Sequence, residues 1–167
     1  MLRRFNNPNI ISVTKNLYIR GWYGINIEPL PDQYQELVKY RLRDINLQLG
    51  VGKMKENKTL FVLGYGSSLY NNEMMSNKSI EIEVDTMSNI CRKYVPKNET
   101  IQFCKIDVEG GEKDVLLGYD FDNYRPKVFC IEATQPGTNI PCHDLWEDIL
   151  INILSLFNIH TYKNNFI

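Results

Sequence analysis

The sequence predicts an α/β fold in which a mostly parallel sheet is flanked by helices on both faces. Short apolar segments of strand length alternate along the chain with segments whose apolar residues follow helical spacing. Three predicted strands also end in an acidic residue, namely Glu28, Asp107 and Glu132. Because ligands of such sheets bind beyond the carboxyl ends of the strands, this pattern predicts three carboxylates along one ligand-binding rim.

The bulk composition predicts a single domain, residues 1–167, of an ordinary soluble protein. Of its 167 residues, 43% are hydrophobic and 23% are charged, and the formal net charge is −1. This charge argues against nucleic acid or an anionic membrane as a partner. The longest apolar stretch, 149–157, is far shorter than the roughly 20 residues of a membrane span, and we predict a cytoplasmic location. The oligomeric state cannot be read from the sequence.

The first half of the chain predicts helices and strands that glycine and proline separate. Gly21 stops the first helix, while Pro29 and Pro31 divide the first strand from the helix that Asp32 is predicted to cap. The predicted elements are a helix at 14–20, a strand at 24–28, a helix from Asp32 to Arg41, and strands at 45–51 and 59–63.

The second half continues the alternation after a polar segment, 64–78, that predicts a loop. In 80–85 apolar residues alternate with acids, which indicates a half-exposed strand, and Asp85 or Thr86 can cap the helix that follows. The remaining predicted elements are a strand at 101–107, a turn at Gly110 and Gly111, a helix at 112–117, a strand at 128–133 and a helix at 143–157. The apolar stripe of the last helix predicts core packing.

The cysteines and acids do not predict a metal site. The four cysteines show no CxxC spacing, so we interpret them as reduced thiols. Cys142 and His143 are adjacent, but no second pair stands at ligand spacing. Asp107 with Glu109 could hold a divalent ion, yet no further ligand set is evident, and the sequence analysis predicts no metal.

Glu28 indicates the class of ligand most directly. An acid at the tip of the second strand of a nucleotide-binding βαβ unit can accept hydrogen bonds from both ribose hydroxyls, since a carboxylate offers two oxygens. NAD and S-adenosylmethionine both contain this ribose. Glu28 alone therefore indicates an adenosine-containing ligand.

The segment 105–112, KIDVEGGE, carries a second group of acids. An apolar strand brings Asp107 to the rim, and the glycine pair then turns the chain. Asp107 could hold a ligand ammonium, orient a substrate hydroxyl or bind a metal. Glu109 and Glu112 could do the same, and Glu112 also suits the N-terminus of the next helix.

Several segments of the chain, taken together and in their order along the sequence, resemble the FkbM-type methyltransferases. The resemblance spans about 12–151 and lies in the combination rather than in any single piece. It implies a Rossmann-like class I methyltransferase sheet, S-adenosylmethionine as methyl donor, and a small-molecule or glycan acceptor methylated on a hydroxyl oxygen. The segments are 20–29 (RGWYGINIEP), 45–47 (INL), 50–52 (GVG), 105–118 (KIDVEGGEKDVLLG), 131–134 (IEAT), 136–138 (PGT) and 146–147 (WE).

The resemblance also implies which residues hold the cofactor. Glu28 would bind the ribose, and the residues around Val51 and Gly52 would border the adenine. Asp107 would face the methionine moiety or the reacting centre. Lys53 stands where family chains often carry an acid, a departure on the adenine side. The implied cofactor-binding residues are Glu28, Pro29, Asn46, Val51, Gly52 and Asp107.

Methyl transfer from a sulfonium to a hydroxyl is an in-line displacement that depends mainly on alignment and desolvation. The hydroxyl proton must still be removed. Candidates for this base are Asp107, Glu132 and His143. Predicted substrate-binding residues are Glu109, Glu112 and Thr134.

The chain departs from the family pattern at both ends. The family has a strand and a glycine-bearing turn before 12–15, where this chain has only 1–5 ahead of a possible remnant of the turn, and its tail 159–167 is polar. The usual first strand, expected between the Ile25 and Ile106 strands, is thus predicted to be missing from a truncated domain. Since each buried unpaired backbone group costs about 1–3 kcal/mol, we expect this chain to bind S-adenosylmethionine weakly or not at all.

Two alternatives stay open at this point. One is an inactive or split methyltransferase fragment without catalysis of its own. The other is an NAD-dependent oxidoreductase, which the acid-tipped strand permits, although no GxGxxG turn is present.

Overall fold

The computed structural model describes residues 13–63, 66–68 and 78–155, which form a mixed α/β structure with small parallel sheets. The helices are α1 (Lys15–Ile19), α2 (Pro31–Tyr40), α3 (Met87–Tyr94), α4 (Glu112–Leu117) and α5 (Glu147–Ser155), with a 3-10 turn at His143–Leu145. The strands are β1 (Ile25–Ile27), β2 (Ile45–Leu47), β3 (Gly50–Val51), β4 (Glu56–Leu63), β5 (Gly66–Ser68), β6 (Ser79–Asp85), β7 (Phe103–Ile106) and β8 (Val128–Ile131). Among these residues no helix is long and apolar enough to cross a membrane.

The strands form three separate sheets rather than the single sheet that the sequence predicts. β1 pairs with β2 and β7 pairs with β8, both in parallel, while the third sheet has the order β3-β6-β4-β5. Three of the five strand pairs are parallel, but the longest ladder, between β4 and β6, is antiparallel. The expectation of a mostly parallel sheet therefore holds for the acid-tipped strands, whereas the third sheet is mixed.

Several predicted boundaries were wrong. The predicted strand 45–51 is divided between β2 and β3, which belong to different sheets, and β5 lies inside the predicted loop 64–78. Leu30, not Asp32, is the N-cap of α2, because Pro31 occupies the first helical position. The predicted helix from His143 is interrupted at Trp146 and resumes as α5. Residues 156–157 of that prediction lie outside the described residues.

The β1–β2 pair is held by polar side chains as well as by its ladder. The Asn26 Nδ2 donates to Asp44 Oδ2 and to Asn46 Oδ1, both at 2.9 Å. The Gly24 amide donates to Asp44 Oδ1 at 3.0 Å, and Asn46 Nδ2 donates to the Arg41 carbonyl at 3.1 Å. Since Asn26 is buried, this network satisfies polar groups that would otherwise destabilise the core.

One hydrophobic cluster joins the acid-tipped strands to the helices. Its buried members come from β1, β3, α3, β7 and α4 and from two aromatic residues outside them, so the strand ends that carry Glu28 and Asp107 share one core. They are Ile27, Val51, Met87, Ile90, Cys91, Cys104, Ile106, Val115, Leu116, Tyr119 and Trp146. All four cysteines are free thiols, as predicted, and burial raises the pKa of Cys91 to about 11.

A cavity of about 380 Å³ separates β1 from β7 within the described part of the chain. Residues 24–27 line one side and residues 101–105 line the other. Among the described residues no strand lies between β1 and β7, which is where the sequence analysis expects the first strand to be missing. The segment 1–12, on which that expectation rests, lies outside the described residues.

Replacing Thr86 with alanine is expected to lower the free energy of unfolding by about 1 kcal/mol, because an N-cap hydrogen bond is lost. Thr86 Oγ1 accepts the Asn89 amide at 3.1 Å at the start of α3. Urea unfolding followed by circular dichroism measures the change. Thr86→Ser keeps the hydroxyl and should behave like the wild type; equal loss in both variants would contradict the capping role.

Candidate functional site

The parallel register of β7 and β8 brings two acids side by side. Ile106 is paired with Ile131, and the Glu132 amide donates to the Ile106 carbonyl at 2.9 Å. Asp107 and Glu132 are the next residues on the two strands, so both carboxylates lie beyond the same end of the sheet. The rim predicted from the sequence therefore holds for this pair.

Asp107 is 6% exposed and is held on one side by Lys105. The Lys105 Nζ lies 2.7 Å from Asp107 Oδ2, and the lysine side chain is itself largely buried. The other oxygen, Asp107 Oδ1, is buried and has no hydrogen-bond partner among the described residues. Lys105 thus compensates the charge at Asp107 Oδ2, while Oδ1 has no donor among the described residues.

The turn after β7 places a third acid. Glu109 is 2% exposed and adopts a positive φ of 54°, a conformation that costs a non-glycine residue free energy. Gly110 follows with φ +97°, where a Cβ would also lie 3.4 Å from Pro136. Two successive residues of this turn thus adopt the left-handed conformation.

Glu112 holds this turn in place. Its Oε1 accepts the Val108 amide at 3.0 Å and the Gly110 amide at 3.4 Å, and the residue is 2% exposed. Burial raises the pKa of Glu112, and the backbone donors oppose that shift. The structure thus gives this carboxylate a positioning role, and its predicted contact with substrate stays a prediction.

Glu132 and Thr134 complete the site on the β8 side. Thr134 Oγ1 donates to Glu132 Oε1 at 3.3 Å, while Glu132 Oε2 is buried without a partner among the described residues. Burial, together with the neighbouring carboxylates of Asp107, Glu109 and Glu112, raises the pKa of Glu132 to about 8. A carboxyl group with such a pKa can hold a proton near neutral pH.

We call Asp107, Glu109 and Glu132 the acid cluster, because one carboxylate oxygen from each lies within 4.8 Å of the others. From the sequence, Asp107 and Glu109 were the possible ligands of a divalent ion, and no further ligand was evident. Strand register, not sequence spacing, brings in Glu132. Lys105 was also missed as a site residue, although the strand alternation places it on the same face as Asp107.

Glu28 stands at the end of β1 and is not part of the acid cluster. It is 3% exposed, and its Oε1 accepts the Leu30 amide at 3.0 Å before α2 begins. Pro29 lies half-buried between the two elements. The predicted position at a strand tip is confirmed, and the contact with a ribose stays a prediction.

The other predicted residues lie at several places around this core. The Asn46 Oδ1 accepts from Asn26 on β1, and its Nδ2 donates to the Arg41 carbonyl at the end of α2. Val51 pairs with Asp85 across β3 and β6, and the Gly52 amide donates to the Asp85 carbonyl at 3.1 Å. His143 begins the 3-10 turn, with Nε2 3.9 Å from a carboxylate oxygen of Glu147. The cofactor roles of Asn46, Val51 and Gly52 and the catalytic role of His143 stay predictions.

Comparison with known families decides the class of protein. The model of the methyltransferase FkbM domain matches residues 6–163, nearly the whole chain. The chain belongs to the FkbM methyltransferase family. No curated protein and no solved structure matches it significantly.

Membership of the FkbM family confirms the resemblance drawn from the sequence segments. Much of that resemblance rests on the segment 105–118. This segment comprises the end of β7, the turn that carries the acids, and α4. The family match supports a methyltransferase in general and favours it over an NAD-dependent oxidoreductase.

Proposed function

We propose that this FkbM-family chain uses S-adenosylmethionine to methylate a hydroxyl oxygen of a sugar, glycan or other natural product. The observation that carries the proposal is the pair of carboxylates, buried Asp107 and half-buried Glu132, beyond the ends of two parallel strands. Ligands of parallel α/β sheets bind at such strand ends. We further infer that β1, β2, β7 and β8 are parts of one Rossmann-like sheet, because a single core joins β1 to β7.

The residues present fit the proposed donor in two respects. Glu28 offers a carboxylate at a strand tip, the position from which an acid accepts ribose hydroxyls. Asp107 Oδ1 is a buried acceptor without a donor, which suits a cationic or hydroxyl group of a ligand. S-adenosylmethionine, when bound, supplies a methyl group on a sulfonium that is already a good leaving group.

The chain's own contribution is to align the acceptor and to receive its proton. The acceptor oxygen forms a bond to the methyl carbon as the carbon–sulfur bond breaks, and the electron pair stays on sulfur. The hydroxyl proton passes to a carboxylate of the Asp107–Glu132 pair in its ionised form. Thr134, which donates to Glu132, orients that carboxyl group.

We expect the affinity of this chain for S-adenosylmethionine to be low. A cofactor at the strand ends would rest above the cavity between β1 and β7, which reaches Ile27 and Lys105. A method that detects weak binding is needed, and saturation-transfer difference NMR meets that requirement.

Replacing Glu28 with glutamine is expected to weaken S-adenosylmethionine binding at least about tenfold, since a hydrogen bond to a charged group contributes about 1.5–3 kcal/mol. Glutamine keeps an oxygen for the Leu30 amide, so the β1–α2 turn should stay intact. Saturation-transfer signals of the ribose protons, titrated against ligand concentration, measure the effect. Glu36→Gln, which changes an acid on α2, serves as the control.

Three other outcomes of this titration would contradict the proposed cofactor site or the proposed function. Ribose signals of equal strength in wild type and Glu28→Gln would remove Glu28 from the cofactor site. No signal from a folded wild-type chain would favour the inactive or split fragment. Signals from NADH but not from S-adenosylmethionine would favour the oxidoreductase.

A further inference from the structure

The acid cluster contains two buried carboxylate oxygens, Asp107 Oδ1 and Glu132 Oε2, that no donor among the described residues satisfies. Asp107 and Glu109 are at least nine-tenths buried, and Glu132 is half-buried beside them. An ionised carboxylate that leaves water without compensation costs free energy far above that of a neutral polar group. Lys105 neutralises part of this charge, and the two unpartnered oxygens call for a proton or a further cation.

The neighbouring donors contact other carboxylate oxygens. Lys105 contacts Asp107 Oδ2, and Thr134 contacts Glu132 Oε1. The amides of Val108 and Gly110 donate to Glu112. What remains is Asp107 Oδ1 and Glu132 Oε2, two buried oxygens with no partner among the described residues.

We propose that the acid cluster binds a divalent cation of the oxygen-preferring class, such as Mg²⁺ or Mn²⁺. Three carboxylate oxygens within 4.8 Å of one another form a set of hard ligands, which these ions favour over nitrogen and sulfur ligands. The orphaned Asp107 Oδ1, on a side chain that is 6% exposed, is the independent sign that a ligand belongs there. The left-handed backbone at Glu109, held by Glu112, keeps the third ligand in place.

Three protein ligands leave open positions on such an ion. If the proposed methyl transfer is correct, and this consequence rests on it, one open position would take the acceptor oxygen and lower the pKa of its hydroxyl. The binding of the cation does not depend on that reaction. It can be tested in the absence of any methyl donor or acceptor.

The test is a titration of the full chain with Mn²⁺, in which electron paramagnetic resonance measures the free ion. We expect saturable binding to wild type and a loss of affinity of more than about tenfold in Glu132→Gln, since even outer-shell changes cost 10–100-fold. Glu109→Gln should weaken binding likewise, while Glu36→Gln should not. The Glu132→Gln amide can donate to Asp107, so this variant should fold without the ion.

Thermal unfolding and competition distinguish a bound cation from a shared proton and from the ammonium group of the methyl donor. Mn²⁺ should raise the unfolding temperature of wild type and leave that of Glu132→Gln unchanged. Equal Mn²⁺ affinity in wild type and both cluster variants, or no saturable binding, would overturn the proposal in favour of a proton shared by Asp107 and Glu132. Displacement of Mn²⁺ by S-adenosylmethionine would also overturn it, because the cluster would then hold the donor's ammonium group.

Discussion

Replacing Gly118 with alanine is expected to lower the free energy of unfolding by roughly 3 kcal/mol or more, the upper end of the usual cost of overpacking. A Cβ at this position would lie 2.3 Å from the Gly52 carbonyl oxygen and 3.1 Å from the Lys53 Cα. Both atoms belong to backbone, so neither can turn aside as a side chain would. Denaturant unfolding followed by circular dichroism and tryptophan fluorescence measures the loss.

Gly24→Ala is the matched control for Gly118→Ala. A Cβ at Gly24 meets no atom of the described residues within 4 Å, so we expect that variant to be neutral or slightly more stable than wild type. If the two variants unfold at the same denaturant concentration, the close contact between the end of α4 and the 52–53 loop does not exist in solution.

Gly118 matters because it joins three parts of the structure. It ends α4, and its carbonyl accepts the Ser88 amide at 3.0 Å and the Ser88 hydroxyl at 2.7 Å at the start of α3. On its other face it touches the loop that contains Gly52. Under the proposed function that loop borders the adenine, so Gly118→Ala should also weaken S-adenosylmethionine binding.

The features that were predictable from the sequence are those with local causes. Alternation of apolar and acidic residues marks β6, and the cap of α3 at Thr86 follows from a hydroxyl before the helix. The acids after β1, β7 and β8 were recognisable because each follows an apolar strand directly. Because parallel strands end at the same edge of a sheet, Asp107 and Glu132 could be predicted to be neighbours.

The features that were not predictable depend on tertiary contacts. Nothing local shows that β2 and β3 enter different sheets, since the division follows from pairing with β1 and with β6. The positive φ of Glu109 occurs where Glu112 accepts the amides of both flanking residues, Val108 and Gly110. The sequence paired Asp107 with Glu109, but the backbone conformation that places Glu109 in the acid cluster is not readable from spacing.

Replacing Glu112 with alanine is expected to lower the free energy of unfolding by about 2–3 kcal/mol and to weaken the proposed Mn²⁺ binding. The change removes the acceptor of the Val108 and Gly110 amides, and an unpaired buried donor costs about 1–3 kcal/mol. Val108 carries the larger share, because Gly110 is exposed. Without this acceptor no side chain holds the amides on either side of Glu109. We expect Glu109 then to leave its positive φ and to move away from the acid cluster.

Glu112→Gln distinguishes this positioning role from a role of the charge itself. Glutamine keeps an oxygen acceptor for both amides and removes a carboxylate whose pKa is raised by burial. We therefore expect near wild-type stability and Mn²⁺ affinity in Glu112→Gln, with both lost in Glu112→Ala. Equal loss of Mn²⁺ affinity in the two variants would instead make Glu112 a direct ligand, because only the charge differs between wild type and Glu112→Gln. Chemical denaturation and the Mn²⁺ titration, performed on the same three proteins, decide between these roles.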